Sequence, residues 1–344
     1  MLGLFRLKSA TDPAWVASTA DGPIVAAEEQ QLKRKLWMAA IKPPMYTVGI
    51  APIVVSAAAA YYNKGAFAAT RFCQLLAGAV MIIAWLNLSN DAFDAETGVD
   101  KSKAESVVNL TGNRKAVLAV ANGFLLAGGL LLHNVTKLAG DAHVGLALAL
   151  AVFMGYLYQG PPFRLSYKGL GEPLCFLAFG PLATSAFFVA QAGSARLIEY
   201  ASLGPELATA ATLVGLTTTS ILFCSHFHQI EGDIAAQKMS PLVRLGTRRG
   251  YEVLRAAVIL LYVIIDGAAA MQWLPLSCCL TQLLSVPAAM AMLDFAKENH
   301  AVPEVIRPLK RYALKWHMAV AAGLALGFAV GRAPASVIPR LLQG

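Results

Sequence analysis

The run Arg71-Phe-Cys-Gln-Leu-Leu-Ala-Gly-Ala-Val80-Met-Ile-Ile-Ala-Trp-Leu-Asn87-Leu-Ser-Asn90-Asp91-Ala-Phe-Asp94-Ala-Glu96-Thr-Gly98-Val-Asp100 decides the reading of this chain. Its first two thirds are apolar for long enough to cross a bilayer, which takes roughly 20 such residues. Its last third is acidic, and acids at the mouth of a span are costly enough to mark a functional site. On a helix, Asn87, Asn90, Asp91 and Asp94 follow an i, i+3, i+4, i+7 spacing and share one face. Gly98 is placed to end the helix, so that Asp100 can fold back toward the same point. Carboxylates on adjacent turns repel one another unless a cation lies between them. Hard oxygen donors suit Mg²⁺, which takes one or two protein carboxylates plus substrate phosphates. A solvated loop of scattered acids is the plainer alternative, but such loops seldom begin with a polar stripe running back into an apolar span.

The pattern of that first run recurs along the chain. Of 344 residues, 57% are hydrophobic and 14% charged, and the mean hydropathy is +0.57. Soluble domains carry about 25% charged residues. Candidate spans lie near 44–62, 71–90, 116–133, 143–159, 173–191, 207–226, 253–272, 274–293 and 313–331. The expected fold is all-α, a multi-pass transmembrane bundle of about nine helices, with residues 32–332 as one membrane domain. Residues 1–31 read as a disordered tail or targeting remnant and 333–344 as a C-terminal tail. Gln31 to Trp37 reads as an amphipathic helix at the interface.

The formal charge of +8 does not point to nucleic acid, because the cations follow membrane topology. All but six of the 28 Lys and Arg residues fall in the N-terminal segment and alternate loops, the exceptions being Lys64, Arg71, Lys137, Arg196, Arg332 and Arg340. The positive-inside rule then puts the long loops on the cytoplasm-equivalent side, with the C-terminus across the membrane. Cys73, Cys175, Cys224, Cys278 and Cys279 all lie in apolar runs without C-x-x-C spacing, so no disulfide framework or zinc site is expected.

A second polar cluster closes the sixth span, Ser225-His226-Phe-His228-Gln229-Ile-Glu231-Gly232-Asp233. His226, Gln229 and Asp233 follow i, i+3, i+7, Glu231 projects off that face, and Gly232 is a candidate break. The histidines suit ordinary interfacial positions as well as a site. Cations that could meet a phosphate, Lys42, Arg114, Arg164, Lys168, Lys238 and Arg244, lie in the same set of loops, where topology alone would place part of them. Tyr156-Leu-Tyr158-Gln-Gly-Pro-Pro-Phe-Arg164-Leu-Ser-Tyr167-Lys168-Gly-Leu-Gly171-Glu172 says more: Gly and Pro fix the backbone, while Arg164 and Lys168 supply cationic donors.

This pattern resembles the UbiA superfamily of intramembrane aromatic prenyltransferases, all-helical proteins of nine spans. The family's two aspartate-rich motifs follow the second and sixth spans and bind Mg²⁺-diphosphate. Asn90, Asp91, Asp94 and Asp100 match the first motif. The second, usually Asp-x-x-x-Asp, has Gln229 in its first position and Asp233 in its second, and Glu231 is a candidate for the missing carboxylate. Ala40-Ile-Lys-Pro-Pro-Met45, Gly160-Pro-Pro-Phe-Arg-Leu-Ser-Tyr-Lys-Gly-Leu-Gly-Glu-Pro173 and Lys238-Met-Ser-Pro-Leu-Val-Arg-Leu-Gly-Thr247 are similar to the branch that prenylates 1,4-dihydroxy-2-naphthoate in cyanobacteria and plastids. The resemblance covers residues 33–331.

The resemblance implies a plastid or cyanobacterial membrane enzyme that transfers a phytyl or other prenyl group from its diphosphate to a hydroxynaphthoate. CO₂ is lost in the step, which belongs to phylloquinone synthesis. It further implies Mg²⁺ held by Asp91, Asp94 and Asp100 with Asp233 and Glu231 or Gln229. Asn90, Lys42, Arg114, Arg164, Lys168 and Lys238 would lie on the diphosphate, with Asp91, Asp94, Arg164 and Lys168 carrying catalysis. Asn87, Tyr158, His226 and His228 are the candidates for the acceptor pocket, and Tyr167 joins the last three as a possible proton acceptor. Homogentisate prenyl transfer and chlorophyll synthesis share the metal site and stay open, as does a membrane carrier. A carrier would place its acids near span midpoints with an inverted repeat between halves, whereas these acids gather at span ends.

Overall fold

A computed structural model describes residues 22–65, 67–98, 105–193 and 204–332. Among the described residues, nine helical segments are long and apolar enough to cross a membrane. They are built on helices Thr47–Lys64, Ala69–Thr97, Arg114–Ala139, Ala142–Gln159, Gly171–Leu177 continuing to Ser185–Ala192, Pro205–Ser225, Pro241–Ala270, Leu276–Gln282 continuing to Val286–Asn299, and Leu309–Arg332. Each coincides with an expected span. Large apolar side chains such as Leu126, Leu146, Val263 and Leu284 face outward, while Ile53, Leu213, Trp316 and Phe328 are fully buried between helices. Apolar residues on both sides are what a helix bundle solvated by lipid requires.

The second span packs chiefly on the third, and the ninth on the eighth, first and sixth. Close approach depends on small residues: a Cβ placed on Gly180 would meet the Ala211 carbonyl at 2.7 Å, which lets the fifth and sixth spans touch backbone to backbone. The fifth span widens locally into a π segment, Ala178–Thr184, which contains Pro181. Pro181 has no N–H to keep the regular ladder. Thr184 Oγ1 donates to the Phe179 carbonyl at 2.7 Å, and Ser56 Oγ donates to the Thr184 carbonyl at 2.7 Å. Both hydroxyls thus add hydrogen bonds to carbonyls of the bulge.

At the membrane face opposite the motifs, arginines close helix ends. Arg332 donates to the Tyr62 carbonyl at 2.7 Å and Arg71 to the Gln191 carbonyl at 3.2 Å. These are carbonyls a helix C-terminus leaves without partners. Asp266 is exposed on the outer side of the seventh span, four residues before its helix ends at Ala270, and accepts from Cys279 Sγ at 3.1 Å.

Two expectations need correction. Helix begins at Gly22, inside the segment read as a tail, and runs to Ile41. Trp37 on it packs against Ala40, Ala92, Val107 and Val117, beside the first acidic motif. Gly232 does not break the second motif's helix, since it lies inside the helix Ile230–Ala235. The break comes earlier, at the 3₁₀ turn His226–His228. Residues 1–21 and 333–344 lie outside the described residues.

Candidate active site

Both acidic segments and the loop 160–170 meet at one end of the bundle. The helix of the second span runs to Thr97 and is ended, as its sequence predicts, by Gly98 in the left-handed region at φ 78°. Its polar stripe is divided between two surroundings. Asn87 and Asn90 line a cavity, whereas Asp91 turns aside and is fully buried. Lys42 Nζ lies 3.1 Å from Asp91 Oδ1, and the Val107 N–H donates to Oδ2 at 3.0 Å. The i+1 step from Asn90 rotates a side chain by about 100°, enough to swing Asp91 toward the segment that carries Lys42. Asp100 lies outside the described residues.

Asp94 faces the loop between the fourth and fifth spans. The Tyr167 hydroxyl donates to Asp94 Oδ1 at 3.2 Å and shares a 3.0 Å hydrogen bond with Thr97 Oγ1. Burial pushes the Tyr167 hydroxyl up to about 12; the bond to Thr97 opposes the rise and the Asp94 charge adds to it. Tyr167 is therefore a neutral donor at physiological pH. Its carbonyl accepts from Met239 N at 2.8 Å, and Arg244 donates to the Lys168 carbonyl at 2.8 Å. This loop thus braces the first motif against the second.

The expected cations assemble, but as partners of carboxylates. Arg164 reaches Glu96 at 2.8 Å and Arg114 reaches it at 3.5 Å, while Arg114 Nε also donates to the Ala92 carbonyl at 3.0 Å. Lys238 lies 3.3 Å from Asp233. Lys168 is exposed, and its place in the structure is fixed through its carbonyl. Lys42 and Arg164 both occupy the left-handed backbone region, at φ 51° and 42°. Such conformations cost about 1–3 kcal/mol in non-glycine residues and gather at functional sites.

The second motif is joined by a contact from outside it. His226 Nδ1 lies 3.3 Å from Asp233 Oδ2, and its Nε2 lies 3.4 Å from Glu172 Oε1. Glu172 comes from the first turn of the fifth span. These separations exceed the 2.7–2.9 Å of a good charge-assisted hydrogen bond, and Glu172 Oε1 and Asp233 Oδ2 stay buried without one. Burial opposes ionisation of Asp233, but the His226 contact, Lys238 and Ser240 outweigh it and hold the carboxyl below its usual range. Glu231, by contrast, is exposed, and Gln229 is half-buried. Where the first motif position lacks a carboxylate, Glu172 is the half-buried acid linked to Asp233 through His226.

Among the described residues, no three His, Cys, Asp or Glu side chains are already gathered around a point that could hold a metal ion. The donor chemistry nevertheless fits a hard cation. Asp91, Asp94, Asp233 and Glu172 offer only oxygen, and the last two carry buried oxygens short of hydrogen bonds.

Between these acids lies a cavity of about 280 Å³. Its polar end is formed by Asn87, Asn90, Tyr158, Gln159, Ser225 and Lys310, and its depth by apolar residues including Leu132, Leu148 and Phe187. Gln159 is fixed by donating to Ser89 Oγ at 2.6 Å. Tyr158 lies within the electrostatic reach of Glu172, Asp94 and Asp233, so both motifs act on this one mouth. His226 and His228, expected in the acceptor pocket, stand behind it: His226 is buried between the two acids, and His228 is half-buried near Arg307 and Lys310. A larger apolar groove of about 750 Å³, between the third and fourth spans, shares Ile82, Leu132, Leu148 and Val152 with the cavity.

A helical membrane bundle with two opposed acidic segments over a half-apolar cavity defines a class of intramembrane enzyme acting on an anionic, lipid-like substrate. The model of the UbiA prenyltransferase family matches residues 50–314, and the chain belongs to that family. It is 44% identical to the chloroplastic 2-carboxy-1,4-naphthoquinone phytyltransferase of Arabidopsis thaliana over 93% of this chain and 84% of that one. It is 46% identical to the 2-carboxy-1,4-naphthoquinone phytyltransferase of Synechocystis over 84% of this chain and 93% of that one. Among solved structures, a UbiA homolog from Archaeoglobus fulgidus, bound to DMAPP and Mg²⁺, aligns with a TM-score of 0.54 at 13% identity, covering 83% of this chain and 99% of the other. A digeranylgeranylglyceryl phosphate synthase aligns with a TM-score of 0.57 at 12% identity, covering 87% and 99%. These two share the fold.

Proposed function

We propose that this protein is a Mg²⁺-dependent phytyltransferase of plastid or cyanobacterial membranes. Its acceptor is 1,4-dihydroxy-2-naphthoate, the quinol form of the 2-carboxy-1,4-naphthoquinone that names its relatives, and its step belongs to phylloquinone synthesis. The observation that carries the reading is the pairing of two acidic segments across a cavity that is polar at its mouth and apolar in its depth. The donor has the same two parts, a diphosphate and a hydrocarbon chain. Identity above 40% across most of the chain to two phytyltransferases supports the choice of substrates.

Asp91 and Asp94 on one side, with Asp233 and Glu172 on the other, would hold the metal, which neutralises charge building on the departing diphosphate. Lys42, Lys238, Arg114 and Arg164 are already within reach of these acids or of Glu96. As the donor arrives they exchange carboxylate partners for phosphate oxygens, with no need to travel far. Tyr167 holds Asp94 by one oxygen and so fixes the direction of the other. The hydrocarbon chain follows the apolar depth toward the groove that shares its wall.

Ionisation of the donor breaks its C1–O bond, and the electron pair leaves on the diphosphate. The ring carbon that bears the carboxylate then attacks the allylic cation. The bond to the carboxyl carbon breaks, CO₂ departs, and its electron pair restores the aromatic diol. The negative charge of the carboxylate ends on the diphosphate, so no proton has to leave when the carboxyl is ionised. An electrophilic cation needs the electron-rich quinol, which is why the reduced acceptor is assigned. The site's main electrostatic work falls on the leaving group. Asp91→Asn with Asp94→Asn tests the reading: turnover is lost while the variant still purifies as a folded protein, and near-normal turnover would refute it.

A further inference from the structure

We infer that Lys310 is the residue that recognises the acceptor's carboxylate, an inference that rests on the proposed hydroxynaphthoate reaction. Among the described residues, Lys310 is the one formally charged side chain lining the cavity. It enters from the ninth span, whereas the motif carboxylates come from the second, fifth and sixth spans and the segments that follow them. It shares the cavity mouth with Asn87, Asn90, Tyr158 and Ser225, groups able to meet ring hydroxyls.

The position of Lys310 is itself informative. It is the second residue of the 24-residue helix Leu309–Arg332, where the helix dipole is positive and a cation is disfavoured by about 0.3–1 kcal/mol. Arg307 and Arg311 flank it in sequence, and His228 feels the field of both Arg307 and Lys310. Helix terminus and lysine therefore add their positive potentials at the mouth of a half-apolar cavity. That is an arrangement for an anion.

The chemistry gives such a contact a use beyond affinity. The substrate carries the carboxylate and the product does not, since the carboxyl carbon leaves as CO₂. Lys310 thus holds the acceptor with its reacting carbon at the cavity mouth and has nothing comparable to hold once the bond has formed. A contact held equally in the ground state and through donor ionisation, and lost only as CO₂ leaves, raises KM when removed and leaves kcat little changed.

The test uses the purified full chain in detergent, with 1,4-dihydroxy-2-naphthoate and 1,4-naphthoquinol, which differ only in the carboxyl group. For Lys310→Met, the KM for hydroxynaphthoate rises by about ten- to a hundredfold, the scale of one charged hydrogen bond. The donor KM and kcat stay within about threefold, and Lys310→Arg recovers most of the loss. Ligand-induced thermal stabilisation, which needs no turnover, favours the carboxylate over the naphthoquinol in wild type and loses that preference in Lys310→Met. If Lys310→Met does not fold, Lys310→Gln and the Lys310→Arg comparison carry the same readings. An unchanged acceptor KM, or a rise confined to the donor KM, overturns the inference and leaves the phytyltransferase reading standing. If wild type fails to prenylate hydroxynaphthoate, that reading fails, and absence of a carboxylate preference in thermal stabilisation would sink Lys310 with it.

Discussion

Lys42 Nζ and Asp91 Oδ1 lie 3.1 Å apart across 49 residues of sequence, with the Asp91 side chain 1% exposed. The first aspartate of the motif is thus a buried charge held by a cation from the segment before the first span. Removing one partner from a fully buried pair costs about 3–5 kcal/mol, and less here, where Lys42 is partly exposed and the Val107 N–H also meets Asp91. Lys42→Met should therefore lower the thermal midpoint, and Lys42→Met with Asp91→Asn should recover much of it. The double variant stays inactive. Recovery of turnover together with stability would show that the pair is structural alone.

Glu172→Gln is expected to behave like Asp233→Asn. Both should raise the Mg²⁺ concentration for half-maximal activity by about tenfold or more, in the range seen when groups around a metal are removed. Glu231→Gln, at an exposed position on the turned-away face, should stay within about twofold of wild type. A Mg²⁺ titration of the three variants decides between Glu172 and Glu231 as the second motif's missing acid.

Tyr167→Phe removes the hydroxyl on Asp94 and keeps the main-chain bond to Met239. Losing a hydrogen bond to a charged group is worth about 1.5–3 kcal/mol, so the donor KM should rise by about tenfold or more while the acceptor KM changes little. Equal changes in both would point to a general loosening of the loop.

The pH dependence follows from two groups. Tyr167 is pushed up to about 12 and Asp233 is held below the usual carboxylate range, so neither changes charge between about pH 5 and 9. Any limb of the rate profile in that window has another origin. For stability, a depressed carboxyl contributes above its unfolded value near about 3.9, and the contribution is lost as pH falls through the folded value. Asp233→Asn should therefore lower the thermal midpoint by a constant amount above about pH 6 and flatten the acid limb of the profile.

The nine spans were legible because hydrocarbon thickness imposes one length on every helix, and Gly98 declared a helix end through its own backbone freedom. The first motif was legible in composition and only partly in direction: spacing put Asp91 with Asn87 and Asn90, but Lys42 and the Val107 N–H draw it aside. Glu172 was present in the quoted loop and invisible as a site residue, because its relation to Asp233 runs through His226 from another span. Lys310 was hidden for the same reason. In a basic cytoplasm-side loop, topology accounts for any lysine, and the cavity alone distinguishes this one.

A decarboxylating phytyl transfer can be followed with labelled carbon. Purified protein is given Mg²⁺, phytyl diphosphate and 1,4-dihydroxy-2-naphthoate labelled at the carboxyl carbon, with homogentisate in a parallel reaction. Such a transfer gives phytylated naphthoquinol and labelled CO₂ in equal amounts, both abolished by chelation and by Asp91→Asn with Asp94→Asn. Product from homogentisate alone, or a phytylated naphthoate that keeps its label, would contradict it.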